Sequence, residues 1–196
     1  TIDLPNAQAE LKSSEARLGE PLENYDQVIG AIRLLTDKDR LDFSERKITV
    51  STVGIVEGIE KFTEENIKVN LVLSLHAPNQ HVRKKIIPYA RKYDLEQVLS
   101  AIRKYTALTR RDTTYEYILI DGINDALEHA IELAELVKND ACSVNLIPYN
   151  PVDGLALSRP SKEKVVAFKN LLEQKGIVTT WRYTKGKDIA AACGQL

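Results

Sequence analysis

Hydrophobic positions along this chain switch period again and again. Asn24 precedes Val28, Ile29, Ile32 and Leu35, which fall on one side of a helix that Asn24 could cap. The run KITVSTV (47–53) is β-branched and reads as a strand. Ile55, Ile59 and Phe62 return to helical spacing, and KVNLVLSLH (68–76) is a near-continuous apolar strand. Asp94 and Gln97 form a capping box ahead of Leu95, Val98, Leu99, Ile102 and Tyr105. A third strand, TTYEYILIDG (113–122), is followed by a helix bearing Ala130, Leu133, Ala134 and Val137, with Asp125 as its expected cap. SVNLIPYNP (143–151) is the fourth strand. Ser161 opens a helix with Val165, Phe168 and Leu172 that Gly176 stops, and VTTWRYTKG (178–186) is the last strand.

Strand followed by helix, repeated about five times, predicts right-handed βαβ units and a parallel sheet. The fold class is therefore α/β, either an open doubly wound sheet or an incomplete (βα) barrel. The strands read as apolar on both faces, as they would if helices covered both sides. Residues 1–18 are a polar lead-in without sustained period, and the regular pattern occupies 19–196.

Composition narrows the class. The chain has 196 residues, 43% hydrophobic and 28% charged, enough for one sizeable core. Its longest uncharged apolar run, VNLVLSLHAP, is too short to span a bilayer, so no membrane partner is expected. Two cysteines do not make a disulfide framework, and a reducing, cytoplasmic location is expected. The net charge of −1 provides no bulk field for nucleic acid, so RNA contacts must come from local basic clusters. The chain begins with Thr and contains no Met, which suggests a fragment, a processed product or an engineered chain.

In α/β folds, chemistry collects at the C-terminal ends of the strands. Those ends carry Ser51 and Thr52; Ser74, His76 and Asn79; Asp121 and Asn124; Asn145, Tyr149 and Asn150; and Lys185 and Lys187. Each has an ordinary structural use. Ser51 and Asn124 could cap helices, His76 could be a satisfied turn residue, and Asn150 before Pro151 could start a turn. Their concentration at one rim is what marks the rim as a candidate site. No Gly-rich phosphate loop, nucleophile elbow, HExxH or paired CxxC occurs, and His81 and His129 lack ligand spacing, so no metal-ligating residue is assigned. Cys142 reads as a small core residue. Cys193 lies in a small-residue terminal segment behind Lys185 and Lys187, which would favour its thiolate; a plain terminal tail is the alternative.

Six segments then occur in order: GEPLENYD (19–26), ITVSTVG (48–54), NLVLSLHAPN (70–79), EYILIDGIND (116–125), VNLIPYNP (144–151) and DIAAACGQL (188–196). Together they resemble the radical-SAM RNA methyltransferases that methylate C2 of adenine in 23S rRNA and some tRNAs. The resemblance implies the C-terminal part of an incomplete parallel (βα) barrel of the radical-SAM type, lacking its first strands. It implies S-adenosylmethionine bound at the barrel mouth by Gly19, Glu20, Ser51, Ser74, Leu75, His76 and Asn150. Cys193 would be the methyl-carrying catalytic cysteine. One S-adenosylmethionine would methylate its sulfur, and a second, cleaved reductively at a [4Fe–4S] cluster, would turn that methyl into a carbon radical that attacks adenine. The implied partners are 23S rRNA, tRNA and an electron donor for the cluster.

The family's CxxxCxxC cluster motif, its accessory domain and its second reactive cysteine are not in this sequence, and KGKDIA stands where the family has Arg-Gly-Asp-Asp-Ile-Asp. Two cysteines cannot supply three cluster ligands, so the chain by itself is expected to be inactive. A C8-methylating relative and a non-catalytic RNA- or partner-binding fragment are the rival readings. For RNA phosphates the best candidate is Arg83-Lys84-Lys85 beside the mouth, with Arg91-Lys92, Arg110-Arg111, Lys185 and Lys187 behind it. Arg103-Lys104 reads as solvated surface, and Tyr149 could stack on a flipped base.

Overall fold

The structure is a computed structural model that describes residues 19–151 and 155–181. Five strands form one parallel sheet in the order β1-β2-β3-β4-β5. They are β1 (Thr49–Thr52), β2 (Asn70–Ser74), β3 (Thr113–Leu119), β4 (Cys142–Pro148) and β5 (Thr179–Trp181). The helices are α1 (Tyr25–Thr36), α2 (Val56–Glu64), α3 (Gln80–Ile86), α4 (Leu95–Thr109), α5 (Leu127–Val137) and α6 (Lys162–Gln174). A doubly wound sheet reverses its strand order part-way, and this one does not. Sequential order with crossovers of one hand puts the main crossover helices α2, α4, α5 and α6 on the same side. Among the described residues the arrangement is thus a parallel (βα) sheet that is not closed into a full barrel.

The crossover helices bury one face only. Val50, Leu71, Leu73, Tyr115, Tyr117, Leu119, Val144 and Leu146 share a core with Ile59 and Phe62 of α2, Val98 and Ile102 of α4, Leu133 of α5 and Phe168 of α6. Alternation sends the residues between them to the other side. Two rows run across that side: Ser51, Val72, Thr114 and Ser143, then Ser74, Glu116, Asn145 and Thr180. None of these eight is fully buried. The expectation of two apolar faces is therefore corrected. Helices α2, α4, α5 and α6 cover one side; the other is polar along the middle of the strands, as the inner wall of an open barrel would be, and is capped at its C-terminal end by the cluster that α3 joins. Asn145 belongs to that wall in mid-strand rather than to the rim.

A second apolar cluster sits over the C-terminal end of the polar face. There Ile118 and Ile147 pack with Ala77, Val82, Ile86, Ile87, Ala90, Tyr149 and Leu157. Helix α3, which supplies Val82 and Ile86, was not foreseen, although Val82, Arg83, Ile86 and Ile87 are inward positions at helical spacing.

Local chemistry explains the element ends. Asp94 and Gln97 close the capping box of α4, and Ser161 Oγ accepts from the Lys164 N–H at the start of α6. Asn24 precedes α1 without a side-chain cap. Asp125 does not cap α5, whose N-cap position is Ala126. Its Oδ1 accepts instead from the Gly122 N–H, at 2.8 Å.

Candidate functional site

The rim where β1 and β2 end is built around the backbone of Val53. Glu20 starts the single turn Pro21–Glu23, and its Oε1 accepts from the Leu22 N–H at 3.0 Å. Its Oε2 reaches the β1 end and accepts from the Val53 N–H at 2.7 Å. Burial raises the Glu20 carboxyl above its ordinary pKa, while the hydrogen bonds from Val53 and Leu22 pull the other way. Glu20 therefore ties the entry segment to β1. Gly19 just before it has φ +63°, in the region that favours glycine. A further close approach holds this turn. A Cβ on Gly58 would lie 2.7 Å from Leu22 Cβ, so α2 can meet the Glu20 turn only through a glycine.

Ser51 lies two residues before Val53 on the polar wall, half-buried, in the row with Val72. Ser74 is half-buried on the same wall at the end of β2. Leu75 and His76 both donate their N–H to the Glu116 carbonyl, at 3.0 and 3.1 Å. His76 has φ +55° and is buried. Its ring replaces a ladder bond, with Nδ1 accepting from the Ile118 N–H at 3.2 Å. Burial, and then the charge of Arg83, push the His76 pKa down to about 3, so the ring is neutral. Asn150 is buried where β4 ends.

Two groups fix the β3 end. Asn124 is fully buried; its Oδ1 accepts from the Ile120 N–H, and its Nδ2 donates to the carbonyls of His76 (2.8 Å) and Ile118 (2.6 Å). It is a cross-strand tie rather than a helix cap. Lys164 of α6 donates to Asp121 at 2.7 Å and Asp125 at 2.9 Å, and these bonds raise its pKa. Asn79 caps α3, accepting from the Val82 N–H at 2.9 Å, and donates to Glu132.

The structure thus brings Glu20, Ser51, Ser74 and His76 to adjoining strand ends, while the Leu75 side chain turns into the helix-covered core and only its backbone lies at the rim. Cys193, Lys185 and Lys187 lie outside the described residues. Three expectations are corrected. Arg83 is fully buried and is no surface ligand for RNA. The Tyr149 ring is fully buried in the smaller cluster, with no face open for a base. Arg103 is half-buried rather than solvated and is paired with Asp140 at 2.7 Å. Cys142 packs against the core, and burial raises its thiol pKa to about 12.

Comparisons with known proteins fit this geometry. The Radical SAM superfamily model matches residues 18–134, over half of the chain. The chain belongs to the radical SAM superfamily. Within it, homology to dual-specificity RNA methyltransferases covers most of the sequence. The protein named "Probable dual-specificity RNA methyltransferase RlmN 2" from Protochlamydia amoebophila is 59% identical over 91% of this chain and 50% of its own length. A similarly named protein from Symbiobacterium thermophilum is 50% identical over 91% of this chain and 48% of its own. The crystal structure of a radical SAM methyltransferase from Sphaerobacter thermophilus superposes with a TM-score of 0.86 at 43% identity, covering 90% of this chain and 52% of that one. A domain of pyruvate-formate lyase-activating enzyme from Bacteroides vulgatus, at 19% identity and TM-score 0.65, shares the fold. The chain spans about half the length of the curated relatives it matches.

No group of three or more His, Cys, Asp or Glu side chains that could hold a metal ion occurs among the described residues. With two cysteines in all, the chain cannot furnish three thiolate ligands for an iron–sulfur cluster. No described helix is long and apolar enough to cross a membrane.

Proposed function

We propose that this chain is the cofactor-binding and methyl-carrying part of a radical-SAM methyltransferase acting on C2 of adenine in 23S rRNA and tRNA. The observation that carries the reading is the convergence of Glu20, Ser51, Ser74, Leu75 and His76 on one rim, in a chain 59% identical to a dual-specificity RNA methyltransferase. Gly19 and Asn150 complete the assigned contacts to S-adenosylmethionine, within the partial barrel of residues 19–196.

S-adenosylmethionine supplies the methyl group. The chain's own residues bind and orient it. The Ser51 and Ser74 hydroxyls face the polar wall and suit the ribose or the amino-acid end of the cofactor. The Glu20 carboxylate suits its ammonium group. The Cys193 thiolate, its proton already lost to solvent, would accept the methyl on sulfur by displacement, releasing S-adenosylhomocysteine. The cluster does not fit this chain's residues, so its ligands are assigned to the rest of a longer protein, which works with a separate electron donor in the cytoplasm where its RNA substrates are. Exposed Lys84, Lys85, Arg91 and Lys92, on and just beyond α3, are assigned to RNA phosphates.

The test is to join the chain to an upstream segment carrying the CxxxCxxC motif and reconstitute the cluster without oxygen. Digested 23S rRNA or tRNA is then examined by mass spectrometry for methyladenosines. 2-Methyladenosine is expected, and its loss in Cys193→Ala. A reconstituted protein that binds S-adenosylmethionine but yields no methyladenosine, or only the C8 isomer, overturns the reading.

A further inference from the structure

Where β1 and β2 leave the sheet, their last carbonyls lose ladder partners. Three of them meet one side chain. Arg83 of α3 is 0% exposed. Its guanidinium donates to the Val53 carbonyl at 2.6 Å, the Leu75 carbonyl at 3.3 Å and the Ser74 carbonyl at 3.5 Å. A planar fork with five N–H groups can serve acceptors on two strands at once, which a lysine ammonium cannot do with the same geometry. Burying a guanidinium is costly, and the three carbonyl contacts of Nε and one Nη offset part of that cost.

The acceptors are the backbone of the assigned cofactor rim itself. Val53 is held from both sides, its N–H by the Glu20 carboxylate and its C=O by Arg83. Ser74 and Leu75 are themselves rim residues, and His76 is next in the chain. We propose that Arg83 is a positioning residue: it locks the ends of β1 and β2 together so that Glu20, the Ser51 and Ser74 hydroxyls and the backbone of Leu75 and His76, whose side chains are buried, form one preformed rim for S-adenosylmethionine. The role rests on the cofactor reading above, and it is carried by contacts to carbonyls rather than to the ligand.

The test combines two measurements on the full chain and on Arg83→Lys, Arg83→Gln and Arg83→Met. Amide hydrogen exchange is followed at Val53, Gly54, Leu75 and His76, with Ile102 and Phe168 in the helix-covered core as controls. S-adenosylhomocysteine binding is followed by calorimetry. Arg83→Met is expected to lose protection at the four rim amides before the controls and to bind at least roughly tenfold more weakly. Arg83→Lys, which keeps the charge and one donor, is expected to fall between it and the unmodified chain. Should Arg83→Met not fold, Arg83→Lys and Arg83→Gln carry the comparison. Unchanged rim exchange in folded variants overturns the clamp whatever the ligand does. Loosened exchange with undiminished binding overturns its positioning role. Failure of the unmodified chain to bind, with the exchange pattern as expected, overturns the cofactor assignment of the rim while upholding the clamp.

Discussion

On the helix-covered side of the sheet, Leu73, Tyr115, Tyr117, Val144 and Leu146 are closed in by α2, α4, α5 and α6. One residue away along the same strands, Ser74, Thr114, Glu116, Ser143 and Asn145 face the opposite, polar side. Neighbours in sequence thus do unlike work. The covered face carries the burial that holds the domain together. The open face carries hydroxyls, an amide and a carboxylate, held in place without much burial of their own, and its upper edge is the candidate cofactor rim. Stability and ligand chemistry are therefore separable, and substitutions on the two faces should behave differently.

The sharpest break should come from the covered face. Phe168 is fully buried and lies 5.3 Å from Tyr117, centroid to centroid. Phe168→Ala should cost about 3–5 kcal/mol in denaturant unfolding. At the rim, Asn124→Ala leaves the Ile120 N–H and two carbonyls without their buried partner and should cost roughly 3 kcal/mol. A rim substitution that large would show that the division between the faces stops where the strands end. Gly54 has φ +97°, and a Cβ there would stand 2.6 Å from Val98 Cγ1. Gly54→Ala should therefore destabilise by about 1–3 kcal/mol, through strain as well as overpacking.

The pH dependence separates the regions further. His76 is neutral when folded, with its pKa depressed from 6.5 to about 3. Between these values the unfolded chain takes up a proton that the folded chain refuses. This contribution is complete above the unfolded pKa and falls by up to about 1.4 kcal/mol per pH unit as the solution is acidified through that window. His76→Asn keeps an acceptor and tolerates φ +55°, so it should flatten the unfolding curve between roughly pH 6 and 4. An unchanged acid slope would mean that the ring titrates normally in the folded chain. The smallest effect is expected on the polar wall. Ser143→Ala removes a 3.2 Å contact with Thr114 and should alter stability by less than about 0.5 kcal/mol.

Much of this was legible from the sequence. The five strands, the helices other than α3 and the capping box of α4 follow from periodicity and cap chemistry. Periodicity puts Ser51, Ser74 and His76 at strand ends, where the structure has them, and Glu20, which enters through the motif resemblance, lies beside the β1 end. The two-sided character of the sheet was misread. Short strands such as NLVLS look continuously apolar when Val72 stands among the wall positions, and two polar residues in five are easily taken as strand ends. Arg83 was misread for a related reason. In HVRKKII it sits among lysines and looks like surface charge, yet it shares the inward helical positions of Val82, Ile86 and Ile87. Asn124 could not have been assigned from sequence, because its three partners come from two strand ends separated by more than forty residues.

The central claim is that the polar rim, and not the covered face, binds the cofactor. Its most direct test is a titration of the chain with S-adenosylmethionine followed by backbone amide NMR shifts. The account predicts saturable shifts at Glu20, Ser51, Ser74, Leu75, His76 and Asn150, with little change in α4, α5 or α6. Saturable shifts centred on those helices, or none on the rim at millimolar ligand, would contradict it.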